Sequence, residues 1–237
     1  YRLWPDQPWL MHAHSVLWFA LALGMLGRLY QRLLVSTPAP WLPVLALLLF
    51  AIDDAHAMTI AWIANRNALV AFTLAMPVLL LHDRSVRDHD RRSGKVAPLL
   101  LLVALLAGES ALAVTGYLFA YALFLDPSLR KAALRRLLPY AGVAAVWSLG
   151  YRALGFGARG SGLVVDPGSE PLRFLSKAAE RVPVVLAAQF GFPPSDAWEA
   201  YAVLRSWLPS VMMAWALLTL AVLMIALWPK LKTQPAA

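Results

Sequence analysis

The sequence predicts an all-α, polytopic transmembrane helix bundle of about seven spans, and two observations predict it. Apolar residues make up 60% of the 237 and charged residues only 14%, with a mean hydropathy of +0.62, so the apolar excess has no charged surface to keep it in solution. The basic residues, which leave a net charge of +8, come in short clusters between apolar runs, where they read as topology signals rather than as a nucleic-acid footprint. Cysteine is absent, which excludes a disulfide framework and any thiolate metal site. The chain opens on Tyr1 and is expected to be a fragment, forming one membrane domain over residues 1–237.

Residues 12–30 form a spanning helix that stops at Arg28, Arg32 and the Pro-rich STPAPWLP. The next run, Trp41–Ile52, is short and ends at Asp53 and Asp54, whose charges would each cost ~2.5 kcal/mol or more at the bilayer centre; they mark a membrane surface or a wet cavity. AHAMTIAWIANRN is too mixed for lipid and sets His56, Ile60 and Ile63 at helical spacing, which predicts an interfacial helix. A third span, Ala68–Leu81, runs into HDRSVRDHDRRSGK, read as a loop. Its Arg84, Arg87, Arg91, Arg92 and Lys95 are the densest basic cluster in the chain, and the positive-inside rule assigns them to the cytoplasm.

A second basic cluster, Arg130, Lys131, Arg135 and Arg136, belongs on the same side, so an even number of crossings separates the two. Residues 97–125 are therefore expected to fold as two short helices turning at Gly108, Glu109 and Ser110, with one long tilted helix as the alternative. A span over Pro139–Leu154 precedes an outer-face loop over 155–208. Within that loop, RFLSKAAERVPVVLAAQF sets Arg173, Lys177, Glu180 and Arg181 opposite Phe174, Leu175 and Val182, as a helix lying on a membrane surface does. The last span, Pro209–Trp228, ends at PKLK, with Trp207 and Trp228 flanking it like an aromatic belt. Under this arrangement the inner side holds 13 of the 21 basic residues and four of the 13 acidic ones, a net of +9, and the outer side a net of −1.

Ionisable groups beside apolar spans are costly, so chemistry is sought among those on the outer side. Asp53, Asp54 and His56, followed by Asn65, Arg66 and Asn67, stand in one turn-and-helix segment. Two carboxylates and an imidazole could bind a divalent cation through oxygen ligands, act as base and orienter, or contact sugar hydroxyls, while Arg66 could hold a phosphate; charges that merely cap helix ends are the plainer reading. Glu109 sits at the tip of the expected hairpin. His12 and His14 are spaced i, i+2 and so face different sides of a helix, which disfavours a joint metal site. Arg152 and Arg159, the latter among glycines, could approach a phosphate from the outer loop. Soluble-enzyme motifs such as a nucleophile elbow, a Walker sequence or a zinc helix are not present.

The segment FAIDDAHAMTIAWIANRNALVAF resembles one in C-type glycosyltransferases of the protein O-mannosyltransferase and tetratricopeptide-linked transmembrane kind. The aligned positions are Phe50, Ala51, His56, Trp62, Arg66 and Leu69. A second block, LLVALLAGESALAVTGYLFAYALFLD, resembles a later stretch of the same family, with Glu109 at its glutamate. Asp53 and Asp54 stand where the family usually has His-Pro. The resemblance implies sugar transfer from a polyprenyl-phosphate donor, a lipid-linked partner, on the non-cytoplasmic face, in a bacterial inner membrane with the site facing the periplasm. It also implies that the family's acidic loop lies upstream of Tyr1. On this reading Asp53, Asp54 and Glu109 are the catalytic carboxylates. His56, Trp62, Arg66, Arg152 and Arg159 bind substrate, with Trp62 offering a face to a sugar ring and the arginines holding the donor phosphate. Membrane lipids are the other expected partner and nucleic acid is not. Two alternatives stay open: a transporter or flippase with an acidic relay through Asp53, Asp54, His56 and Glu109, for which the expected inverted repeat is not found, and a non-catalytic membrane subunit.

Overall fold

The computed structural model describes residues 6–53, 56–157, 165–189 and 207–232. Among the described residues every regular element is helical: α1 (Pro8–Leu33), α2 (Leu42–Ala51), α3 (Ala57–Ala61), α4 (Arg66–Arg87), α5 (Arg91–Ala107), α6 (Ala113–Phe124), α7 (Arg130–Arg135), α8 (Leu138–Ala153), α9 (Pro171–Ala188) and α10 (Leu208–Lys232), with short 3-10 turns at Ile63–Asn65 and Glu109–Leu112. Three stretches, Pro8–Leu33, Ile63–Arg87 and Leu208–Ala226, are long and apolar enough to cross a membrane. Leu42–Ala51 and Glu109–Phe124 are apolar but shorter. Outward-facing side chains are apolar too: Leu17, Leu48, Leu99, Leu106 and Leu217 are all more than half exposed, a surface suited to hydrocarbon and costly in water.

The chain divides into two compact units, one ending at Gly150 and the other beginning at Tyr151. In the first, α4 and α5 form the central pair. The charged stretch between them is a tight turn and not the loop that its composition suggests. Residues 82–87 finish α4 and residue 91 already starts α5, leaving Asp88, His89 and Asp90 to reverse the chain. His89 adopts φ +55°, the left-handed conformation that closes so short a connection. Asp90 then caps α5, accepting from the Arg92 backbone N–H at 2.9 Å and from the Ser93 hydroxyl at 2.6 Å. Ala71 and Ala75 of α4 and Ala97 and Ala104 of α5 are buried in the core, small side chains that let helix backbones come close.

The chain turns back after α5, as a hairpin requires. Gly108 packs so closely on the start of α4 that a Cβ there would stand 3.2 Å from the Cβ of Ala71 and 3.4 Å from the Asn67 carbonyl oxygen. At the other end of α6 the Tyr121 hydroxyl donates to Asp83, near the end of α4, at 2.8 Å. Hence α6 runs antiparallel to α5 and parallel to α4, and a single continuous helix over 97–125 is excluded. α1 also runs parallel to α4: Met11 and Ser15 meet Arg66 at one end, and Arg32 meets Asp83 at the other. The expected interfacial helix is broken in two, because Trp62 is extended (φ −87°, ψ 102°) between α3 and the 3-10 turn. In the second unit, Val184 and Ala187 of α9 pack against Met212 and Ala216 of α10. The amphipathic stretch is a helix as expected, with Glu170 and Arg173 paired at 2.7 Å and Lys177 and Glu180 at 2.8 Å.

Candidate functional site

A cavity of about 470 Å³ opens in the first unit beside the Arg66 end of α4. It lies in the size range of small-molecule sites, and its wall is almost wholly apolar. Phe19 and Leu26 of α1, Phe50 of α2, and Leu69, Phe72 and Met76 of α4 are part of that wall. Along α4 it extends from Ala68 to Leu79, or ~16 Å at ~1.5 Å per residue, so it is a deep slot rather than a surface dimple.

Polar groups are few and differ by depth. His56, Thr59 and Ser110 line one end, while Tyr30 and Tyr117 stand further along the helices. The His56 ring is wedged between Phe50 and Phe19, with centroids 4.3 and 5.4 Å away. Its Nε2 is buried and, among the described residues, has no hydrogen-bond partner; the same holds for the Tyr117 hydroxyl. Buried polar atoms left unpaired cost of order 1–3 kcal/mol each. A bound molecule with an apolar body and a hydrogen-bonding group would satisfy them.

Of the residues singled out from the sequence, His56, Glu109, Asp53, Trp62 and Arg66 stand at this end of the unit. His56 is in the cavity wall. Glu109 is exposed and immediately precedes Ser110 and Ala111, which line it. Asp53 is exposed and accepts the His56 backbone N–H through its carbonyl at 3.3 Å. Trp62 is largely exposed and is not among the cavity residues. Arg66 stands at this end too: its Nε donates to the Ser15 hydroxyl at 3.1 Å and an Nη to the Met11 carbonyl at 2.7 Å, so the fork ties α4 to α1. Arg152 belongs to the second unit and is exposed on the last turn of α8. Asp54 and Arg159 lie outside the described residues. No group of three or more potential metal ligands gathers among the described residues.

The densest ionic network is one that sequence reasoning passed over. Asp83, counted from its neighbours as a loop charge, is fully buried near the end of α4. It takes Arg32 Nε from α1, Arg87 Nε from its own helix at 3.0 Å and the Tyr121 hydroxyl from α6. Arg32 reaches on to both oxygens of Asp88, at 2.9 and 3.0 Å, and Arg87 donates to the Arg32 carbonyl at 3.2 Å. His82 meets the Tyr140 hydroxyl through Nδ1 at 3.1 Å, which brings α8 to the same end. The i, i+4 spacing of Asp83 and Arg87 was the available signal. This network joins the ends of α1, α4 and α6, and its Arg32, Arg87 and Asp88 also line a second cleft, separate from the apolar cavity.

Compared with models of known families, with curated proteins and with solved structures, the chain matches none.

Proposed function

We propose that the chain is a membrane glycosyltransferase-like protein that takes a sugar from a polyprenyl-phosphate donor on the non-cytoplasmic face of a bacterial inner membrane. The observation that supports this reading best is the apolar slot with a polar end, beside which two carboxylates stand. A polyprenyl tail needs an apolar channel open to the bilayer, and its phosphate and sugar need a polar mouth. The slot supplies the first. His56, Thr59, Ser110 and the neighbouring Asp53 and Glu109 supply the second.

An inverting displacement has two demands: a base to accept the proton of the attacking hydroxyl, and positive or hydrogen-bonding groups for the charge that develops on the departing phosphate. Glu109 is the proposed base, with Asp53 and Asp54 orienting the acceptor. His56 Nε2 is proposed as a hydrogen-bonding partner for the bound donor. Arg66 contributes positive charge at the mouth while its fork holds α1 in place, and Arg152 and Arg159 are the further candidates for the phosphate. The seven-span arrangement and the outer position of the 155–208 loop belong to the same proposal, resting on the separation of charge between the two sides. Donor turnover by full-length Glu109→Gln tests it. A fall of ~100-fold or more with donor binding retained is expected of a lost general base, and wild-type turnover would remove Glu109 from the mechanism.

A further inference from the structure

We propose that the cleft between the C-terminal turns of α1 and α4 binds the headgroup of an anionic phospholipid. The cleft has a volume of about 650 Å³ and lies at the end of the unit opposite the mouth of the apolar slot. Met25 of α1 and Pro77, Leu80 and Leu81 of α4 make an apolar wall, and arginines of both helices make the rim. Pro77 and Arg84 are about two turns apart, ~10 Å at ~1.5 Å per residue, so the cleft passes from an apolar zone to an ionic one in the order that an amphiphile presents them.

Charge pairing shows which arginines are already engaged. Arg32 and Arg87 are held by the carboxylates of Asp83 and Asp88, two cations against two anions. Arg28 and Arg84 line the same cleft and have no ion pair or hydrogen bond among the described residues, so the rim keeps two uncompensated positive charges. Guanidinium groups from two helices suit a phosphodiester, which they can grip through paired N–H donors. A free phosphate would meet the arginines and leave the apolar wall uncovered. A phospholipid covers both, and basic pockets between spanning helices are where anionic headgroups collect. This headgroup site needs no sugar transfer at the opposite end of the unit.

The test uses the full-length protein in neutral detergent, mixed in turn with dioleoyl phosphatidylglycerol and dioleoyl phosphatidylcholine, with retained lipid counted by native mass spectrometry. Phosphatidylglycerol should be retained over phosphatidylcholine by roughly tenfold or more. The double substitution Arg28→Gln, Arg84→Gln should abolish that preference, and Arg28→Lys, Arg84→Lys should keep part of it. Both pairs should melt at the wild-type temperature in phosphatidylcholine, because the exposed arginines hold no partner among the described residues; Arg84→Gln alone serves if the double variant cannot be purified. Equal retention of the two lipids by wild type overturns the proposal. So does a preference that outlives the Gln substitutions. Inorganic phosphate alone, added without lipid, should leave the melting temperature unchanged; a rise equal to that given by phosphatidylglycerol would mean a free-anion site and would also overturn it.

Discussion

Asp83 ties three helices together through one carboxylate. Its carboxylate is fully buried and is held by two guanidiniums and a phenol from α1, α4 and α6. A buried ion pair adds little over an apolar replacement, yet deleting one partner strands the others, at a cost of about 3–5 kcal/mol. Asp83→Asn should therefore lower unfolding stability by that order, measured by denaturant titration of the solubilised chain, with a loss under 1 kcal/mol contradicting the role assigned to it. The sequence shows why this was hard to foresee. In HDRSVRDHDRRSGK more than half of the residues are charged, so composition reads as a solvated connection, and nothing local says that α1 and α6 arrive to bury one carboxylate. The anchoring contacts of Arg66 are illegible for a related reason: its partners, Ser15 and the Met11 carbonyl, lie more than 50 positions away.

At the scale of elements, the helices were legible where apolar runs are long and their ends are marked by Pro, Gly or charge. The hairpin between α5 and α6 followed from parity of the basic clusters, and the close packing of Gly108 on Ala71 and Asn67 gives its physical basis. The two-part break at Trp62 was not legible, since the residues on either side keep helical spacing. The connection from α6 to α7 is fixed by Asp126, whose carboxylate accepts from Arg136 at 2.6 and 2.9 Å and from the Ser128 backbone N–H at 2.9 Å. Burial alone would raise its pKa, but these partners more than offset that and hold it below the ordinary carboxylate value. A depressed folded-state pKa means that the contribution to stability is fully present above the unfolded value, about 3.9, and is lost as pH falls through the folded one. The melting-temperature gap between wild type and Asp126→Asn should stay constant from pH 8 to pH 5 and close below about pH 4. A gap that persists unchanged into acid would show that the ionised carboxylate is not its source.

On the scale of the whole molecule, the first unit has two chemically different ends. One gathers Arg32, Asp83, Arg87, Asp126 and Arg136; the other has Arg66, His56, Glu109 and the mouth of the apolar slot. The proposal requires a membrane between them. With no native cysteine in the chain, Ser110→Cys and Lys131→Cys can each be probed in intact cells with an impermeant thiol reagent. Ser110→Cys should react at once and Lys131→Cys only after the membrane is opened; the same side for both would end the proposed topology. The central claim is that the slot receives a lipid-linked donor, and photocrosslinking of the full-length protein with a photoreactive polyprenyl-phosphate sugar reads this directly. The expected result is labelling of α4 and α6 around Phe72 and Val114, lost when Ala68→Phe and Thr59→Phe fill the slot. Labelling elsewhere, or labelling that persists in the filled variant, would contradict it.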